Sequence, residues 1–166
     1  MTNFQHKNFK VALVGDTHGN TLKIRKVLKP LQIDHILFTG DLYSDAKVLS
    51  ARINASFDGV LGNCDNPNQD AQEEKVIEIA DKRIYLTHGH RYNVKKDLSS
   101  LYYRAKEINA DIVVYGHTHM PKSENIEGIL FINPGSPSQP RGGANASFAI
   151  LEWSEGKFTH YLVQVD

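Results

Sequence analysis

The sequence predicts an α/β fold built as a layered sandwich, and three observations predict it. Through the first half, buried-strand runs alternate with helical stripes, the pattern of βαβ units. The second half is dominated by strand-like runs and reads as more antiparallel. Five apolar runs stop abruptly at Gly, Asp, Asn or His, as buried strands do where they leave a sheet.

A first strand is expected over residues 10–15, leading through Asp16-Thr17-His18-Gly19 into a helix. Asn20 is its expected N-cap, Ile24, Val27, Leu28 and Leu31 form its apolar stripe, and Pro30 closes it. A second strand covers 35–39, and a helix over 44–54 offers Ala46, Val48, Leu49 and Ile53 for packing. A short third strand is expected over 59–61, followed by a polar loop over 66–74. Val76-Ile77-Glu78-Ile79 and Arg83-Ile84-Tyr85-Leu86-Thr87, split by Asp81-Lys82, form a tight hairpin. A helix from Asp97 shows Leu98, Leu101, Tyr102, Ala105 and Ile108 on one face, and a strand over 111–115 follows. Strand-like runs then occupy 129–132, 146–152 and 158–165. Residues 133–143, dense in Gly and Pro, read as a structured or mobile surface loop.

At 166 residues the chain suits a single domain spanning residues 1–166. Nineteen basic and nineteen acidic residues cancel, so no global field attracts nucleic acid or an anionic membrane. Without a basic stripe or an aromatic platform, nucleic acid is not an expected partner. No apolar run approaches membrane-spanning length, and residues 1–10 are polar without a signal-peptide core. Cys64 is the only cysteine, which suits a reducing compartment, so a cytoplasmic protein is expected. Self-association into a homo-oligomer is left open.

Five of the eight histidines fall in the clusters that end the apolar runs, while His6, His35 and His160 read as surface or strand-flanking residues. The clusters are Asp16-Thr17-His18, Gly40-Asp41, Gly62-Asn63-Cys64-Asp65, His88-Gly89-His90 and Gly116-His117-Thr118-His119. Open α/β sheets place their sites at such strand ends. Taken singly, most have a plainer reading, such as a helix-capping turn or a turn with a left-handed Asn. Their joint occurrence after five strand-like runs is what turns alone explain poorly.

Asp16 and His18, like His117 and His119, are spaced by two, which puts both side chains on one side of extended backbone. With Asp41, Asn63 and His88 they make seven candidate ligands, too many for one tetrahedral ion but suited to two ions sharing a bridge. Asp41 is the expected bridge, because its cluster offers no other ligand. Mixed oxygen and nitrogen donors suit two divalent transition-metal ions, with Mn placed first and Ni, Fe, Co or Zn as alternatives to it. Two such ions about 3.5–4 Å apart can hold a hydroxide between them and clamp an in-line phosphoryl displacement. The resulting local positive charge favours a phosphate ester as substrate.

The ordered series D-x-H, G-D, G-N, H and G-H-x-H resembles the motif set of the calcineurin-like metallophosphoesterase superfamily, from Lys10 to about Pro137. The short length, with Thr87-His88-Gly89-His90 and Asn133-Pro134-Gly135-Ser136, is similar to its small bacterial and archaeal phosphodiesterase branch. The resemblance implies a four-layer α-β-β-α sandwich with two mixed sheets and a dinuclear metal site at the strand ends. By motif, one ion would take Asp16, His18, Asp41 and His119, and the other Asp41, Asn63, His88 and His117. It implies a phosphodiesterase acting on a small phosphate ester, with Asn63 as a phosphate-side contact and His90 either there or behind the ligands. Arg141, in the Gly-rich loop, is a further candidate phosphate contact, with a plain exposed loop arginine as its alternative. Many members carry a histidine directly after the Asn, where it can protonate the leaving group; here that position is Cys64. His90 and Asp65 are the candidate catalytic replacements, Asp65 with an orienting role as its alternative. Weaker leaving-group assistance is therefore expected. The same superfamily includes a retromer subunit that keeps the fold as a protein-binding surface, so a non-catalytic scaffold is the competing reading, and a nuclease is a third.

Overall fold

The computed structural model describes residues 8–165. In chain order the first elements are β1 (Phe9–Val14), α1 (Leu22–Leu28), β2 (His35–Phe38), α2 (Tyr43–Ile53) and β3 (Ser56–Gly59). A hairpin of β4 (Glu74–Ile79) and β5 (Lys82–Thr87) precedes α3 (Ser99–Glu107) and β6 (Ile112–Val114). Strands β7 (Lys122–Ile126), β8 (Ile129–Asn133), β9 (Ser147–Ser154) and β10 (Lys157–Gln164) complete the described chain.

The strands form two mixed five-stranded sheets, ordered β10-β9-β1-β2-β3 and β4-β5-β6-β8-β7. In the first, β1, β2 and β3 are parallel while β9 and β10 run antiparallel to them. In the second, β5, β6 and β8 are parallel, with β4 and β7 as antiparallel edges. Strand alternation explains the layering. Val11 and Leu13 join a core with Ile84, Leu86, Ile112 and Val114 of the other sheet, while Ala12 and Val14 face α1 and α2. Tyr85, Val113 and Phe131 pack instead under Leu101 and Ala105 of α3. Each fully buried Leu, Ile, Val or Phe contributes about 1.5–3 kcal/mol before entropy is counted. The result is the four-layer α-β-β-α sandwich that the resemblance implied.

Several local expectations need correction. The first helix is capped at Thr21 rather than Asn20, without a side-chain cap bond, and Pro30 sits in a one-turn 3-10 helix that ends at left-handed Gln32. Val48 of α2 is exposed, not packed. The third strand is Ser56–Gly59; Val60 and Leu61 continue the chain, where the Val60 N–H donates to the Phe38 carbonyl. Strand β7 carries the polar sequence KSENI, so hydropathy gave no sign of it, and as an edge strand it needs no apolar face. Asp97 precedes α3 and accepts from the Ser99 N–H at 2.9 Å. The segment from Asn133 to Pro137 is buried against the site rather than lying on the surface. His6 lies outside the described residues, and among them no helix is long and apolar enough to cross a membrane.

Candidate metal centre

The strands β1, β2, β3, β5 and β6 deliver all five clusters to one rim. Backbone hydrogen bonds lock these ends together: Asp16 N–H to the Gly40 carbonyl, His18 N–H to the Asp41 carbonyl, and Gly116 N–H to the His88 carbonyl. The His117 N–H donates to Asp16 Oδ2 at 3.0 Å, tying the two sheets across the site. Reaching this geometry costs backbone strain. Asp16, His18, Asp41, His117 and His119 all have φ between 48° and 73°, a left-handed region that costs an L-residue on the order of 1 kcal/mol or more. Five such residues at one rim mark a candidate site, where strain of this kind is sustained by the surrounding structure.

The seven candidate side chains converge in two groups. His88 Nε2 lies 3.0 Å from Asn63 Oδ1, 3.2 Å from Asp41 Oδ2 and 3.2 Å from His117 Nδ1. On the other side, His18 Nε2 and His119 Nε2 are 3.3 Å apart, with Asp16 Oδ1 3.4 Å from the latter. Asp41 stands between, its Oδ2 also 3.8 Å from His18 Nε2. Atoms bonded to one transition ion at about 2.1 Å stand about 3.0–3.4 Å from one another in tetrahedral or octahedral arrays, so these separations suit shared ions.

Tautomers decide whether a cation fits. His88 Nδ1 donates to the Thr39 carbonyl at 2.7 Å and His119 Nδ1 to the Gln139 carbonyl at 2.7 Å, which turns both Nε2 lone pairs inward in the neutral rings. His88 Nε2, Asp41 Oδ2 and Asn63 Oδ1 then face each other as acceptors only, and only a proton or a cation can satisfy them. Asp16 Oδ1 is buried with no hydrogen-bond partner, an acceptor left over for the same purpose. The donor set therefore fits divalent ions.

Protonation follows the same logic. Burial alone pushes His88 down, but its hydrogen bond to Asp41 and the charges of Asp16 and Asp41 outweigh this and raise it above the ordinary 6.5. Burial, then the charge of His88, lowers His117 to about 4. In metal-free protein, stability from His88 is complete below about 6.5 and is lost as pH rises through its raised native value. Protonating His117 favours the unfolded chain, so stability is also lost as pH falls from 6.5 towards 4. The chelated protein should therefore melt highest near pH 6.5, a profile calorimetry can check; a steady rise from about pH 5 to about pH 8 would contradict it. Metal affinity should instead fall steadily with acidity, as protons compete for the imidazoles.

Residues 9–156 match the family model of the calcineurin-like phosphoesterase superfamily domain. The chain belongs to this superfamily. A probable metallophosphoesterase of Bacillus subtilis, YsnB, is 34% identical over 143 residues, covering 85% of this chain and 82% of its own. A predicted phosphoesterase of Streptococcus pneumoniae is similar in structure, with a TM-score of 0.78 and 29% identity over 96% of this chain and 91% of that one. Vps29 of Entamoeba histolytica, complexed with Zn2+, shares the fold at a TM-score of 0.72 and 23% identity, covering 95% and 100% of the two chains. A metal-dependent phosphoesterase is the activity these family relations support.

Within this calcineurin-like domain the remaining candidates fall into distinct positions. His90 begins a one-turn 3-10 helix, its ring 5.4 Å from that of His88 and 6.2 Å from that of His117, with Nδ1 buried and unpartnered. Burial and then the charge of His88 lower its pKa, so it is neutral at pH 7. Of the two roles open to Asp65, its contacts fit the orienting one. Oδ2 accepts from the Asp41 and Gly62 N–H groups and Oδ1 from the Tyr43 N–H, at 2.6–2.9 Å, so both oxygens are spent on backbone. Cys64 is exposed, with its Sγ within ligand reach of His18 and Asp41. Burial and the neighbouring Asp41 carboxylate raise its pKa, which keeps the thiol protonated. Arg141 is exposed, and its backbone N–H donates to the His119 carbonyl, so its loop borders the site.

Sequence reasoning missed the supports. Asp45 accepts from Thr17 Oγ1 at 2.5 Å and the Gly19 N–H at 2.8 Å, fixing the first ligand loop. Ser136 Oγ donates to the Asp16 carbonyl at 2.7 Å, and Asn133 Nδ2 to the Gly116 carbonyl at 3.1 Å. The only signal for the last two was the Asn-Pro-Gly-Ser string itself.

Proposed function

We propose that this protein is a dinuclear metal-dependent phosphodiesterase acting on small diesters. The observation that carries this reading is Asp41, a central carboxylate with one candidate triad on each side, Asp16–His18–His119 and His88–His117 completed by Asp41 itself. Divalent ions bound there would supply Lewis acidity towards a phosphoryl oxygen and generate the nucleophile from water. The chain's own work is orientation. Thr39 and Gln139 carbonyls aim His88 and His119, the Asp65 carboxylate holds the Asp41 and Gly62 loops together, and Asn63 brings an amide to the open edge beside His88.

Charge supports a diester. Two dications, less the Asp16 and Asp41 charges and one for an anionic nucleophile, leave about +1, which one phosphodiester anion neutralises. Neutral His90, its ring 5.4 Å from that of His88, is the proposed contact to that phosphate, with Asn63 and Arg141 as further proposed contacts. Bis(p-nitrophenyl) phosphate should be hydrolysed faster than p-nitrophenyl phosphate by protein loaded with Mn, Ni, Fe, Co or Zn; a clear monoester preference would refute the diester assignment.

Cys64 limits the leaving group. A thiol is a poor substitute for an imidazolium acid, so esters of acidic alcohols are favoured. Cys64→His is expected to speed cleavage of alkyl diesters by about 10–100-fold and of nitrophenyl diesters far less. Equal effects on both, in steady-state assays, would remove the leaving-group account.

The likeness to Vps29 favours a second reading, a protein-binding scaffold on the same fold. A scaffold has no need of ligands, yet every ligand position here carries a metal-capable side chain, five of the seven held in left-handed backbone. Metal bound without hydrolysis would favour the scaffold. The nuclease reading gains no support from a chain of zero net charge.

A further inference from the structure

A groove of about 660 Å³ lies beside the metal centre, between the loop before α3 and strand β7. Its lining includes Thr118, which stands in the chain between the candidate ligands His117 and His119. Tyr115, Tyr102, Met120 and Ile126 give it aromatic and apolar lining, and Met120 is 43% exposed there. That volume falls within the range of about 300–1,000 Å³ typical of small-molecule sites.

The charges in this groove do not balance. Lys95, Lys96 and Lys122 face two carboxylates, Glu124 and Asp97. Glu124 pairs with Lys122 at 2.9 Å, while Asp97 accepts the Ser99 N–H at 2.9 Å, keeps its charge and acts electrostatically on Lys96, so one positive charge is in excess. Lys95 and Lys96 also line the groove, and among the described residues neither has a carboxylate within ion-pair distance. Lys95 is close enough for its charge to act on His117, which links this end of the groove to the centre. Exposed ammonium groups beside an apolar lining, outside any close ion pair, are the chemistry that receives an amphipathic anion.

Resting on the phosphodiesterase reading, we infer that this groove holds one ester arm of the substrate, an aromatic, nucleoside-sized body ending in a second anionic group bound by Lys95 and Lys96. The phosphodiester to be cleaved then sits at the centre while the distal charge sits at the lysines. A substrate without the second charge fills the groove but forgoes the two charge-assisted contacts.

Calorimetric titration of metal-loaded protein with thymidine 3′,5′-bisphosphate and with thymidine 5′-monophosphate tests this. The bisphosphate should bind about tenfold more tightly, and the double variant Lys95→Gln/Lys96→Gln should bind the two alike. Both lysines are exposed, so the variant's fold is checked simply by its unchanged circular dichroism. Equal affinities in the wild type, no binding of either nucleotide, or a preference that survives the double substitution would overturn the assignment. Hydrolysis of bis(p-nitrophenyl) phosphate, which lacks a second charge, is measured on the same samples. Its absence counts against the activity, while the titration alone decides the groove.

Discussion

Replacing Asp41 by Asn is expected to lower hydrolysis of bis(p-nitrophenyl) phosphate by about 10³-fold, the several kcal/mol that Lewis-acid chemistry supplies. The substitution keeps the shape of the side chain and an oxygen that can accept the Cys64 N–H, now at 2.9 Å from Oδ1. It removes the charge and turns an NH2 or a neutral oxygen towards His88 Nε2, 3.2 Å from Oδ2 in the native chain. In the metal-free protein Asp41 is held ionised by His88 against the cost of burial, well below the usual carboxylate range. Its loss should therefore also let His88 fall back towards neutral behaviour and flatten the alkaline side of the metal-free stability profile. Activity within a few-fold of wild type would show that the centre does not depend on Asp41.

Gly62→Ala is expected to damage both metal binding and stability. A Cβ at this position would stand 2.1 Å from Asp41 Oδ1 and 2.9 Å from the Asp41 backbone N, so the central carboxylate or its loop must move. Neither loop can yield freely, because Asp65 ties the Gly62 and Asp41 N–H groups together at 2.7 and 2.9 Å. Overpacking of this kind costs about 2 kcal/mol, roughly 6 °C in melting temperature for a chain of this size. The loss should appear in chelated as well as metal-loaded protein, which separates it from Asp41→Asn. Wild-type melting and metal content in this variant would contradict the close packing described above.

The candidate ligand clusters were legible because each closes an apolar run, so Asp16, Asp41, Asn63, His88 and His117 are announced by the strands that precede them. The layered fold was legible for the same reason, since strand runs and helical stripes carry different periods. What stayed hidden acts through hydrogen bonds across long stretches of chain. Ser136 supports Asp16 from 120 residues away, and Thr39 orients His88 through a main-chain carbonyl that any residue would have. The role of Asp65 was undecided because a carboxylate near a site reads alike whether it faces a substrate or three backbone N–H groups. Strand β7 escaped because an edge strand can be polar on both faces.

The central claim is that Asp41 joins two ion sites and that these ions carry the hydrolysis. Elemental analysis and a bis(p-nitrophenyl) phosphate assay on one preparation, before chelation, after it, and after metal is restored, test this most directly. Two divalent ions per chain, with activity lost and regained in step with them, is the predicted result. Hydrolysis that persists in fully chelated protein would contradict the account.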